Sequence, residues 1–281
     1  MTNFRTAWRQ RWYPLSERGT AILARTASAL CIFLSLSILS SCQSSSAFND
    51  TAFPYSIAQE KIVDQNVKRL VIAHVNFSSP SKKYLTDYNS KVDSKVIERL
   101  ESGGYSVVDN RQFQKYWRDA VRKFGNPYNP VTSHVNPAAF HRVVATVLDQ
   151  METDNDVDAV VFTDLIERQI AFGNKLNRSA KWDGVSRRPR LKGAATALSQ
   201  GFDWTQTVPA ISLRLTIYHV DGHRLFQSVG GLEVSREIDT RKGNGRFVRR
   251  EKLFTGASNV KQGVRLALHP FVEMKNYPSS K

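Results

Sequence analysis

Three groups of residues have the types and spacing to do chemistry. Cys42 closes the run Ser37-Ile38-Leu39-Ser40-Ser41 and offers a thiol, a group that can be acylated or oxidised. His219 and His223 stand four apart with Asp221 between them. On a helix that spacing would suit zinc, but Asp221-Gly222 is a hairpin-turn pair, so the two imidazoles are expected to flank a turn. Asp154-Asn155-Asp156-Val157-Asp158 begins like a calcium loop. Such a loop needs Gly at its sixth position and Glu at its twelfth, where Ala159 and Leu165 stand, so the pattern fails. No metal and no cofactor is expected. A hydrolase would need a carboxylate pair or a Ser/His set, and Asp164, Glu167, His141 and Ser258 are the available groups. No spacing joins them. Gly256-Ala257-Ser258-Asn259-Val260 lacks the last glycine of a nucleophile elbow, and Ser258 reads as a helix N-cap instead. Gly243-Asn244-Gly245 follows no strand–helix junction of the kind that cradles phosphate.

The remaining chemistry is cationic. Lys175, Arg178, Lys181, Arg187, Arg188, Arg190 and Lys192 face one acid, Asp183, within residues 173–201, and Trp182 lies among them. A second basic stretch holds Arg241, Lys242, Arg246, Arg249 and Arg250. Read as one surface, the two stretches would bind carboxylates or phosphates, with Trp182 as an aromatic anchor. Read blandly, they are solvated loops.

The composition bounds the partners. The chain of 281 residues carries a net charge of +15, with 41% apolar and 23% charged residues. A chain this basic is drawn to anionic surfaces. It has two cysteines, Cys31 and Cys42, so the body after residue 42 has no disulfide and no catalytic thiol. Residues 1–28 hold five arginines against Glu17, and ALCIFLSLSIL (29–39) is apolar or serine throughout. A basic stretch, a short apolar stretch and small residues make a secretion signal. Eleven residues rise only about 16 Å as a helix, too short for a hydrocarbon core of roughly 30 Å. Leu39-Ser40-Ser41-Cys42 resembles the lipobox of bacterial lipoproteins. That resemblance implies acylation of Cys42, cleavage before it and retention on a membrane, with Gln43 pointing to the outer one. Removal of 1–41 would leave 35 basic and 24 acidic residues, a net +11. Three acyl chains would hold the protein firmly, since each buried methylene contributes about 0.8 kcal/mol.

Elements able to position these residues follow from periodicity. Residues 42–65 are expected to be a tether and 66–276 one domain, with basic inserts at 173–207 and 239–252 and a tail at 277–281. RLVIAHVNF (69–77) reads as a buried strand. Val92, Val96 and Leu100 mark a helix that stops at Gly103-Gly104. YSVVDN (105–110) reads as a strand, with Asn110 capping a helix whose face is Phe113, Tyr116, Trp117, Ala120, Val121 and Phe124. After a proline-containing loop, Asn136-Pro137 opens a third helix. VDAVVFTDLIE (157–167), AISLRLTIYHV (210–220) and LFQSVGGLEVSREI (225–238) are strands, and Val260, Val264, Leu268 and Phe271 mark a closing helix. Strands separated by helices pair in parallel and the last hairpin is antiparallel. The expected class is therefore α/β, bordering α+β: a mixed sheet flanked by helices in a single domain.

LVIAHVNF, Gly104-Tyr105-Ser106-Val107-Val108-Asp109 and Val157-Asp158-Ala159-Val160-Val161 resemble three strands of a group of envelope lipoprotein domains. The group includes the activator lipoprotein of a bifunctional penicillin-binding protein, the TolB N-terminal domain and the curli secretion lipoprotein. The resemblance spans roughly residues 67–235. The chain departs from it in the two basic inserts and in Thr163-Asp164-Leu165, where the group carries a glycine. It implies a non-enzymatic binding, assembly or activator protein of the envelope. Its contacts would be the membrane, through the acyl chains, and an envelope protein or anionic envelope polymer, not nucleic acid. An oligomeric export pore is the alternative, with 210–234 as a membrane hairpin, and an envelope hydrolase is the third.

Overall fold

The computed structural model describes residues 55–64, 66–73, 83–129, 132, 134–155, 157–173, 178–193, 198, 201–241 and 244–277. All lie in one compact unit, Phe48–Lys281. The expected signal peptide, most of the tether and Cys42 fall outside the described residues, as do Lys175 and Lys242.

The elements in chain order are β1 (Ser56–Ile57), α1 (Gln59–Asp64), β2 (Arg69–Ile72), α2 (Lys83–Thr86), α3 (Asn89–Ser102), β3 (Ser106–Val108), α4 (Arg111–Phe124) and α5 (Pro137–Asn155). There follow β4 (Ala159–Ala171), β5 (Ala180–Trp182), β6 (Val185–Arg187), β7 (Arg190–Lys192), β8 (Thr207–His219), β9 (Arg224–Val234), β10 (Arg236–Asp239), β11 (Arg246–Arg249) and α6 (Ala257–Leu268). The main sheet has the order β1-β9-β8-β4-β2-β3. β2 pairs in parallel with β3 and β4, whereas β4/β8, β8/β9 and β1/β9 are antiparallel. The fold is α/β with a mixed, open sheet.

Alternation along the strands divides the core between the two faces. Leu70, Ile72, Ala159, Val161, Leu213, Leu215 and Ile217 pack with Val92, Val96 and Leu100 of α3 and Val260, Val264 and Leu268 of α6. Val71, Val160 and Phe162 pack with Phe113 and Tyr116 of α4 and Val143, Val147, Leu148 and Met151 of α5. α6 lies backbone against backbone on β9. A Cβ on Gly230 would sit 2.1 Å from the Gly263 carbonyl oxygen, and one on Gly263 would sit 2.4 Å from that of Gly231. Only glycine at both positions permits this approach.

Helix ends follow the chemistry nearby, not always the residue expected. Gly104, at φ 90°, closes α3, and Tyr105 N–H donates back to Leu100 O. At α4 the capping acceptor is Asp109, which takes the Arg111 N–H at 2.7 Å, and Asn110 makes no side-chain cap bond. Asn136 caps α5 as expected, accepting from Ala139 N–H at 3.2 Å. α6 begins after Gly256 in extended conformation, so Ser258 is not its N-cap. Asp154 and Asp158 are structural anchors: Asp154 accepts from the Tyr116 hydroxyl at 2.6 Å, and Asp158 accepts from the Lys68 and Arg69 N–H groups at 2.6 and 2.7 Å.

The largest departure is the first insert. Instead of a solvated loop, residues 180–187 form a β5–β6 hairpin that closes a third apolar cluster with Ile170, Phe172, Val208, Ala210, Val234 and Leu266. The expected strand 225–238 breaks at Ser235, whose hydroxyl and N–H both donate to Pro209 O. Beyond that bend, β10 joins β7 and β11 in a separate three-stranded sheet. The second insert thus supplies a strand too.

Candidate functional site

The cations chosen from the sequence do not form a free surface. Arg187 reaches inward, donating from Nη1 to Gln262 Oε1 at 2.9 Å and from Nε to Leu232 O at 3.4 Å, and burial lowers its affinity for a proton. Arg190 donates to Thr255 Oγ1 at 3.1 Å. Lys192 pairs with Glu251 at 2.5 Å, which raises its pKa and lowers that of Glu251. Arg241 embraces Asp239 through two nitrogens, at 2.7 and 2.8 Å, holding that carboxyl far below its ordinary range. Arg178 lies 4.5 Å from the Trp204 ring centre and Arg249 lies 3.9 Å from that of Tyr84. Arg250 is buried, pairing with Glu233 at 2.6 Å and donating to Val234 O at 3.1 Å. Arg178, Lys181, Arg188, Arg190, Arg241, Arg246 and Arg249 are nonetheless exposed.

Trp182 is 0% exposed, so it cannot anchor a partner from the surface. The reason is its place beside Asp183 and Gly184, both at positive φ, where the hairpin turns back over β9. Gly231 N–H donates to Asp183 O at 2.8 Å, and a Cβ on Gly231 would lie 2.9 Å from Trp182 O. Asp183 also receives Arg168 Nε at 3.1 Å and the Ser212 hydroxyl at 2.6 Å. Arg187, Arg190, Lys192, Arg250 and Asp183 therefore act as staples that fasten extra strands to the domain.

The hydrolase candidates do not converge. Asp164 lies on the α4/α5 face, paired with Arg214. Glu167, three residues on, is on the opposite face and accepts from the Tyr84 hydroxyl. That contact and burial push the Tyr84 phenol upward. His141 is on α5, whereas Ser258 is on α6, across the sheet from it. His219 and His223 flank their turn as expected: each Nδ1 approaches Asp221 Oδ1, at 3.1 and 3.0 Å. Among the described residues no cluster of His, Cys, Asp and Glu could hold a metal ion.

A different site is formed where α4 and α5 stop covering the sheet. The antiparallel registers place Asp164 opposite Arg214, Phe162 opposite Thr216 and Thr216 opposite Gln227, all on one face. The Phe162 and Tyr218 rings meet edge to face at 5.8 Å. The far wall is the loop before α5, closed by a Tyr128–Val135 bridge and by Asn136 N–H donating to Pro127 O at 2.9 Å. Tyr128, Val135 and Phe140 face the strands across a cleft of about 240 Å³. Asp164 is buried while 41% of the Arg214 side chain is exposed. Burial, and then the Asp164 charge, raise the Tyr128 phenol, so it remains a hydrogen-bond donor at neutral pH. Aromatic edges around a partly exposed guanidinium suit the grip of a partner's side chains. The sequence signal for this cleft was the polar interruption Thr163-Asp164 in an apolar strand, visible but read only as a departure from a family pattern.

No family model matches the sequence, and no curated protein matches it. Among solved structures, the chain is similar to a PelC dodecamer from Paraburkholderia phytofirmans, with 9% identity over 80% of this chain and 96% of that one. The TM-score is 0.30, and a superposition that loose decides neither topology nor role.

Proposed function

We propose that this chain is a lipid-anchored envelope protein that works by binding, and that the cleft beside Arg214 grips an envelope protein partner. Anchoring is supported by Leu39-Ser40-Ser41-Cys42 behind a basic and then apolar leader. The binding role is carried by one observation: an exposed arginine, braced by a buried carboxylate, sits among aromatic side chains where the sheet face is open. Interface hot spots draw on those residue types. A protein partner fits better than an anionic polymer, because Asp164 already neutralises Arg214 and Tyr128, Phe140, Phe162 and Tyr218 offer aromatic contact beside it.

The test is capture of partners from the protein's own envelope by the lipidated protein and two cleft variants. Val135→Glu puts a charge on the exposed rim, and Arg214→Ala removes the guanidinium. Val135→Glu is expected to keep the parent's thermal midpoint, because Val135 is exposed, and both are expected to lose the captured protein. Undiminished capture by both variants overturns the cleft as the contact site.

A further inference from the structure

One cleft of the domain gathers four cations about a single carboxylate. Lys95 and Arg99 on α3 face Lys261 and Arg265 on α6 across a cleft of about 210 Å³ floored by Val264. The single acid there, Glu98, is divided between Lys95 and Lys261, the latter at 3.6 Å. Arg265 meets no carboxylate among the described residues. Arg99 donates from one nitrogen to the carbonyl oxygens of Val272 and Glu273 and from Nη1 to Ser102 Oγ at 3.3 Å, while its buried Nε has no hydrogen-bond partner. Burial, and then the charge of Arg265, lower the Arg99 pKa, so the two guanidinium groups repel across the cleft. Four other arginines are each paired with a carboxylate: Arg214 with Asp164, Arg241 with Asp239, Arg250 with Glu233 and Arg168 with Asp183. Four cations around one carboxylate leave a local excess of positive charge that an oxyanion relieves.

The cleft's place in the molecule points to the source of that oxyanion. Arg99 holds the carbonyls of residues 272–273, just past the end of α6. The Tyr55 ring lies edge-on to His269 of the same turn, at 6.4 Å. Tyr55 thus lies beside the turn that follows α6, and the next residue, Ser56, pairs with Gln227 at the sheet edge. Twelve residues separate Cys42 from Tyr55, a reach of no more than about 45 Å when fully drawn out. We propose that the α3–α6 cleft binds a phosphate group, and that its occupant is the phosphate of an anionic lipid headgroup in the bilayer that holds Cys42. The choice of lipid rests on the anchoring proposed above, whereas the affinity for phosphate does not. Bound there, a headgroup would draw the α3–α6 side of the domain to the bilayer and leave the Arg214 cleft, on the opposite sheet face, turned toward the periplasm.

The test uses mature protein purified from the envelope and titrated calorimetrically with four probes: dihexanoyl phosphatidylglycerol, dihexanoyl phosphatidylcholine, inorganic phosphate and pentaglutamate. The phosphatidylglycerol is expected to bind saturably and about tenfold tighter than the phosphatidylcholine, with affinity falling as salt rises. Lys261→Gln combined with Arg265→Gln should weaken it by about tenfold or more. Neither residue holds a neighbouring backbone group, so the thermal midpoint should stay within a few degrees of the parent's. Binding of inorganic phosphate without the lipid overturns the headgroup assignment. Equal binding of pentaglutamate, or binding unchanged by the double variant, overturns the phosphate site. Intact-mass measurement of the same preparation reports on Cys42 separately, so a missing acyl group and an empty cleft are distinguishable failures.

Discussion

At the scale of single residues, the strongest consequences come from buried charge. Glu233 and Arg250 are both nearly inaccessible and bind each other at 2.6 Å, and Glu233 also accepts the Phe254 N–H. Removing one partner leaves the other charged in a dry site. Arg250→Ala should therefore lower unfolding free energy by about 3–5 kcal/mol, read from urea titrations. Glu233→Gln with Arg250→Met should recover much of that loss, because the pair as a whole contributes far less than the penalty of breaking it. Arg241 and Asp239 behave differently, since the Arg241 side chain is largely exposed. Hydrogen bonds from Arg241 hold the Asp239 pKa below its ordinary 3.8. A carboxyl with a depressed folded-state pKa adds stability that is complete above the unfolded value and disappears as pH falls toward the folded one. The stability of Asp239→Asn should thus match the parent's more closely as pH drops below about 4, and their acid-unfolding curves should converge there. Curves that stay parallel to the lowest pH reached would contradict the pairing.

At the scale of elements, α6 and the β5–β6 hairpin make the sharpest claims. Gly230 and Gly263 meet with no room for a methyl group. Either one changed to Ala should cost about 3 kcal/mol or more and lower the thermal midpoint by several degrees. Trp182→Ala should cost about 3–5 kcal/mol, and amides of 180–187 should exchange slowly with solvent. Fast exchange there would restore the reading of this insert as a solvated loop. The hairpin's role also shows what periodicity can and cannot reveal. Val92, Val96 and Leu100, the α4 and α5 faces, and the alternation in β8 were all readable, because one-sided burial imposes a period of 3.6 or 2 on the sequence. β5, β6, β7 and β11 are only three or four residues each, and every one carries a lysine or an arginine. Strands that short show no alternation, and arginines with apolar stems look solvated whether they point out or staple inward. Gly230-Gly231 were likewise legible as weak points of a strand but not as the seat of a helix, because the close approach depends on Gly263, over thirty residues away. The membrane hairpin expected of 210–234 in the pore alternative differs from the structure, where β8 and β9 lie inside the six-stranded sheet with α6 packed on one face.

At the scale of the whole molecule, helices cover both faces of the sheet and each side carries a cleft. One side carries the α3–α6 cleft with its four cations around Glu98. The other borders the aromatic cleft around Arg214. Such a division suits a protein held at a surface on one side and meeting its partner on the other. The candidate site was less legible than the fold, because the charge-rich inserts drew attention while the cleft is assembled from β4, β8 and a loop before α5, none of them unusual alone. The placing of the protein at a membrane depends on a covalent tether at Cys42. The direct measurement is metabolic labelling with an alkyne fatty acid, followed by membrane fractionation of the parent and of Cys42→Ala. The parent should be labelled and sediment with membranes, and the variant should be unlabelled and remain unprocessed. An unlabelled parent, or a Cys42→Ala chain that is processed normally and still sediments, would contradict the account.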